Sequence, residues 1–198
     1  MALRIKAKWH ESKRVYKGRR NRSREKTIED RAGVVAFNIW KVAQHVYRHM
    51  DEEKFKFTTE NQIIGTLTEW IAFLLAVIDR MVYGQLSEED RAKLINTAAG
   101  HLARNMNENI ADMAAGPGDY SGPFIHALNR RLPEYAECSY DNGEPGYAFK
   151  RLLGEKIGDV LAESDNKWVE EYVVDIEIPE AVKMIKGLVS ANLGIKAQ

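Results

Sequence analysis

The sequence predicts an all-α protein: a bundle of five or six helices around a central apolar helix at 61–83. Three observations lead there. One stretch is apolar nearly all the way round a helix, as a buried centre must be. Most of the other stretches repeat apolar residues every three or four positions. Glycine, proline and capping residues punctuate the chain between them.

The central stretch reads NQIIGTLTEWIAFLLAVIDRMVY. Ile63, Leu67, Trp70, Leu74, Val77 and Met81 recur at helical spacing, and residues 70–78 form an unbroken apolar run. A membrane span needs about 20 consecutive apolar residues. Here Glu69 closes the run on one side and Asp79 and Arg80 on the other, so no membrane span is expected. Thr58 or Thr59 can cap the start by accepting a free backbone N–H. Gly84 can end the helix, because glycine adopts the left-handed conformation without a Cβ clash. Glu69 and Arg80 share a face with Thr66, Phe73 and Ala76. An acid on a buried helix can be a metal ligand or a general acid, but a base on a neighbouring helix is its commoner partner.

Before that helix, residues 28–50 carry an apolar stripe of Ala32, Val35, Ala36, Ile39, Ala43, Val46 and Met50, and residues 51–56 connect the two. After Gly84, Ser87 with Glu88, Glu89 and Asp90 makes a helix start: a hydroxyl cap followed by acids at the positive end of the dipole. That helix should run to about Ala115 with Leu94, Ile95, Ala98, Leu102, Met106, Ile110 and Met113 inward. Residues 116–123 form a loop, and 124–132 a short helix that stops near Pro133, with 135–138 able to continue it. Asp141-Asn142-Gly143-Glu144-Pro145 is a turn. Residues 147–161 are amphipathic through Phe149, Leu152, Leu153, Ile157, Val160 and Leu161. A last helix should start at Pro179, whose missing N–H costs nothing at a first helical position. Its inward stripe is Val182, Ile185, Leu188 and Val189.

The two ends of the chain carry a different period. Leu3, Ile5, Ala7 and Trp9 alternate with bases, and Val174, Ile176 and Ile178 alternate with Asp175 and Glu177. Period two is the signature of a half-buried strand. Opposite charges across a strand pair contribute roughly 0.2–1 kcal/mol each. A small two-stranded ribbon joining 3–9 and 172–178 is therefore expected, within one chain or between two. The competing reading makes 166–178 helical throughout.

With 198 residues, the chain can bury a core without staples. Its expected organisation is a basic N-terminal arm at 1–27, a helical core at 28–163, and a C-terminal extension at 164–198 that packs on the core. Cys138 is the only cysteine, which excludes an internal disulfide framework and fits the reducing cytoplasm. Residues 1–26 have no apolar run of the kind a secretory signal peptide needs. The net charge of zero hides a segregation. Residues 4–26 hold eleven Lys/Arg against Glu11 and Glu25, a net +9, and the remainder, 18 basic against 27 acidic, is −9.

Four constellations could carry chemistry. His45 and His49 are spaced to bind one ion from one helical face, yet Lys41 and Arg48 share that side, so two solvated histidines are the better reading. His101, Asn105, Glu108 and Asp112 line one face and, with Glu69 or Asp79, could supply a bundle metal site. The di-iron pattern needs Glu-x-x-His, and no histidine here has an acid three residues before it. Cys138 would need His126 as its base, and Gly116-Pro117-Gly118 lacks the Lys-Ser/Thr of a phosphate-binding loop. No catalytic residue, metal ligand or cofactor is assigned on these grounds. The candidate site is the arm: Arg14, Lys17, Arg19, Arg20, Arg22 and Arg24 are dense enough to track a phosphate backbone, with Trp9 and Tyr16 available for stacking.

The expected function follows from that balance. It is a non-catalytic helical interaction protein, homo-oligomeric, that works by binding other macromolecules. The arm docks on the chain's own acidic surface, on an acidic protein partner, or, as an alternative, on nucleic acid. A carboxylate/histidine metal enzyme is the second alternative.

Overall fold

The computed structural model describes residues 26–113, 118–162, 164 and 166–193. Over these residues the chain is predominantly α-helical, with one minimal β-hairpin. Helix α1 spans Ile28–Glu52. Thr27 opens it with a reciprocal cap: its hydroxyl accepts from the Asp30 N–H at 3.2 Å, and the Asp30 carboxylate accepts from the Thr27 N–H at 3.3 Å. All seven residues of its expected stripe are buried. At its far end Lys54 stands at φ 73°, and the Phe55 and Lys54 N–H groups donate back to the Met50 and Asp51 carbonyls. This is the left-handed closing motif, with lysine where glycine is the usual choice.

Helix α2, Glu60–Val82, is the centre, and α1, α3, α4, α5 and the last helix all pack on it. Thr59 caps it, accepting from the Gln62 N–H at 3.3 Å, and Gly84 follows it at φ 71°. Trp70, Ile71, Phe73, Leu74, Leu75, Val77 and Ile78 are fully buried. By length and composition α2 could cross a membrane, and 83% of its apolar window is covered by the rest of the protein. Helix α3, Glu88–Met113, starts on the Ser87 hydroxyl, which accepts from the Asp90 N–H at 3.1 Å. Leu94, Ile95, Ala98, Leu102 and Met106 are buried as expected, and Ile110 is half-buried.

Helix α4, Ser121–Ala136, runs through Pro133 instead of stopping there. Two contacts beyond the proline hold it. The Tyr135 ring is fully buried and stacks on Phe149 at 4.7 Å. Arg80 of α2 donates to the carbonyls of Tyr135, Ala136 and Cys138, at the end where intrahelical donors run out. Strands β1 (Tyr140–Asp141) and β2 (Glu144–Pro145) then close over Asn142 and Gly143, at φ 53° and 76°. Two successive positive φ values are what a two-residue hairpin turn requires. Helix α5 spans Tyr147–Leu161, the limits its periodicity predicts.

The C-terminal expectation is overturned. Residues 172–178 are helical, in a continuous rod made of α6 (Val169–Tyr172), a π turn (Val173–Glu177) and α7 (Ile178–Leu193). The Ile178 N–H donates to the Val173 carbonyl, five residues back. That wide turn inserts one residue, so Val169, Val173, Ile178, Val182, Ile185 and Val189 all stay on the buried side. A uniform α-helix would rotate the later residues by about 100°. The same turn accommodates Pro179, which lies inside the rod rather than at its start; in a straight helix its ring clashes with the carbonyl four residues back. The strand-like alternation of Val174, Ile176 and Ile178 therefore has no sheet behind it. The proposed ribbon loses its C-terminal strand, and its other strand, 3–9, lies outside the described residues.

Candidate functional site

The arm residues Arg14, Lys17, Arg19, Arg20, Arg22 and Arg24 also lie outside the described residues. The chain becomes described at Lys26, beside the end of the rod: the Arg31 guanidinium donates to the Leu193 carbonyl at 3.2 Å. Helices α1 and α7 thus run antiparallel, with His45 and His49 meeting the start of α7.

There the π turn brings Glu177 inward. Its side chain is 1% exposed, and its Oε1 accepts from His49 Nδ1 at 2.8 Å. The Tyr172 hydroxyl also hydrogen-bonds to it, and the Tyr172 ring packs on Phe55 at 4.8 Å. Burial pushes the Glu177 carboxyl up, against the opposing pull of His49 and Tyr172. Burial disfavours the His49 imidazolium, but the hydrogen bond and charge of Glu177, with Glu180 and Glu53 behind them, raise its pKa. The expectation of two solvated histidines therefore fits His45, which is half exposed and 3.7 Å from Glu180, and fails for His49.

The two α2 acids offered to the proposed metal site, Glu69 and Asp79, are each tied to a cation. Glu69 receives two hydrogen bonds from Arg131 of α4, at 2.7 and 2.9 Å, with both side chains 7% exposed. The sequence anticipates this base on a neighbouring helix without identifying it. Asp79 is held the same way by Arg91 at 2.7 and 2.8 Å. His101 sits 2.6 Å from Arg104, and burial, then that arginine, lowers its pKa. Among the described residues no three His, Cys, Asp or Glu side chains converge as a metal site would require. Cys138 contacts the Glu134 carbonyl at 3.5 Å, and burial pushes its thiol up. Exposed His126 lies about 15 Å back along α4, so the two do not form a nucleophile–base pair.

What sequence reasoning missed is on the outside of the rod. Ile176 is 49% exposed and Leu188 39%, although Leu188 belongs to the stripe expected to face inward. Between them Pro179 is exposed and Met184 half-buried, and these residues border one open hollow together with Glu180, Lys183 and Gly187. Their spacings of three, five and four residues were visible in the sequence but do not make one regular helical stripe. Which of two overlapping apolar stripes turns inward depends on the π turn, which leaves no signal in the periodicity.

Comparison of the chain with known protein families, with curated proteins and with solved structures returned no match.

Proposed function

We propose that the protein is a non-catalytic helical interaction protein, homo-oligomeric, that binds through the exposed face of the C-terminal rod. One observation carries this reading: Ile176, Pro179, Met184 and Leu188 line one open outward hollow along about 18 Å of helix, with Glu180, Lys183 and Gly187 among them. Isolated exposed apolar residues are ordinary, whereas several gathered around one hollow with charge beside them are the usual mark of an interaction surface. The polar clusters of the fold support it by their arrangement, since Glu69 and Asp79 are each held by an arginine and Glu177 by His49.

The test is sedimentation of the full chain across a concentration series, beside a variant carrying Ile176→Asp and Leu188→Asp. Both side chains are exposed, so the variant should melt within a few degrees of the parent. The parent's mass should rise with concentration and the variant's should stay that of one chain. A parent that remains a single chain at every concentration removes the homo-oligomeric part of the reading. The segregation of charge favours a second reading, nucleic-acid binding through the arm.

A further inference from the structure

The outward face of α7 carries its groups in an order that complements itself. Counted along the rod, Ile176 and Pro179 come first, then Glu180, then Lys183 and Met184, then Gly187. A two-fold axis crossing the helix between residues 181 and 182 would relate 180 to 183, 179 to 184 and 176 to 187, with Leu188 at the edge of the face opposite Asp175. An antiparallel pair of these helices would set Glu180 against Lys183 of the second copy, twice over, once on each side of the axis. Pro179 would meet Met184. Ile176 would enter the space above Gly187, where a Cβ would find nothing within 4 Å. A large residue over a small one is how helices interdigitate at close range. The parallel arrangement would place Glu180 beside Glu180 and Lys183 beside Lys183, which is repulsive at both positions.

Glu180 is exposed enough to make this contact. Its ion-pair partner His45 stands off at 3.7 Å, its charge also acts on His49 behind it, and 52% of the glutamate side chain is exposed. Lys183 is exposed on the next turn. An isologous interface uses the same patch on both copies, so its charges must complement themselves. This face satisfies that condition.

We propose that a second copy of this chain docks antiparallel along the outer face of α7, with the register set by reciprocal Glu180–Lys183 pairs. The proposal rests on the reading of α7 as the interaction face, and names the occupant.

The test uses the full chain and two single substitutions, Glu180→Lys and Lys183→Glu, each checked for unchanged helical content and melting. In sedimentation equilibrium each variant alone should dimerise about tenfold more weakly than the parent, since both symmetric contacts become like-charged. An equimolar mixture of the two should recover the parent's affinity as a heterodimer, because each contact again joins an acid to a base. The double variant, carrying both substitutions in one chain, should recover it as a homodimer. If the singles dimerise like the parent while Ile176→Asp disrupts the dimer, the face is right and the antiparallel register is wrong. That overturns this proposal and leaves the interaction reading standing. A parent that sediments as one chain overturns it as well, and is also the result expected if the N-terminal arm folds back on this face.

Discussion

His49 and Glu177 form a half-buried contact whose two members lean the same way with pH. His49 has its pKa raised above 6.5, so its contribution to stability is fully present below that value. It is lost as pH rises through the folded value, because the neutral imidazole no longer balances the carboxylate. Burial raises the Glu177 carboxyl too, so its contribution is likewise largest at low pH and declines as pH rises. Once pH has risen past the raised His49 value the fold therefore holds a carboxylate with 1% exposure and only neutral direct partners, with Glu180 adding repulsion. Urea midpoints measured from about pH 6 to pH 8 should fall steadily in the parent. Glu177→Gln should flatten that slope, since the amide has no charge to leave unpaired. An unchanged slope in the variant would mean that the decline comes from another group. This pair was not legible in the sequence, because 49 and 177 are joined only by the π turn. Glu69 was partly legible: an acid in the middle of an apolar helix demands a base, but any of several arginines could have supplied it.

At the scale of elements, the helices with a single clean stripe and a chemical cap could be read directly. Thr59, Ser87 and Gly84 mark ends that the structure reproduces, and α5 occupies the limits its periodicity gives it. The readings that failed share one cause: a local signal reversed by tertiary contacts. Pro133 is a strong stop, yet Arg80 and the buried Tyr135 carry α4 past it. The alternation at 174–178 mimics a strand, yet on the rod Val174 is half-buried, Ile176 exposed and Ile178 buried, so its apolar members share no single face. Helix α5 then locks the rod closely, since a Cβ on Gly154 would stand 2.9 Å from Val174 Cγ2 and 3.1 Å from the Glu170 carbonyl. If the π turn is an insertion, removing it should be tolerated once its proline is also removed. Deleting Asp175 together with Pro179→Ala should yield a straight helix with Val173 and Ile178 one α turn apart. It should keep its helical circular dichroism and melt within a few degrees of Pro179→Ala alone. Deleting Lys183 in the same background should instead turn Ile185, Val189 and Leu193 out of the core. Exposing three such side chains costs about 5 kcal/mol or more, which for a chain of this size lowers the melting point by roughly 10 °C or more. Equal losses from the two deletions would refute the insertion account.

For the whole molecule, the charge segregation and the α7 face make one joint prediction. The arm holds +9 and the remainder −9, so a chain with its arm docked on itself presents little net field, while a chain with a free arm presents a concentrated one. If Arg14, Lys17, Arg19, Arg20, Arg22 and Arg24 all contact duplex DNA, log K should fall with log salt at a slope of about −5. A dimer joined along α7 brings two arms to one ligand, and a duplex long enough to reach both should show a slope of about −11. Titrating labelled DNA and RNA across a salt series with the full chain reads both quantities at once. A full-length variant with those six residues changed to Gln should lose the salt dependence, and the Ile176→Asp, Leu188→Asp variant should halve it. A full chain that binds neither nucleic acid at low salt sinks the nucleic-acid reading and leaves the arm to neutralise an acidic protein surface. Binding with the steeper slope, halved when the α7 face is disrupted, would tie the two ends of the chain to one function: the rod sets the number of arms, and the arms set the affinity.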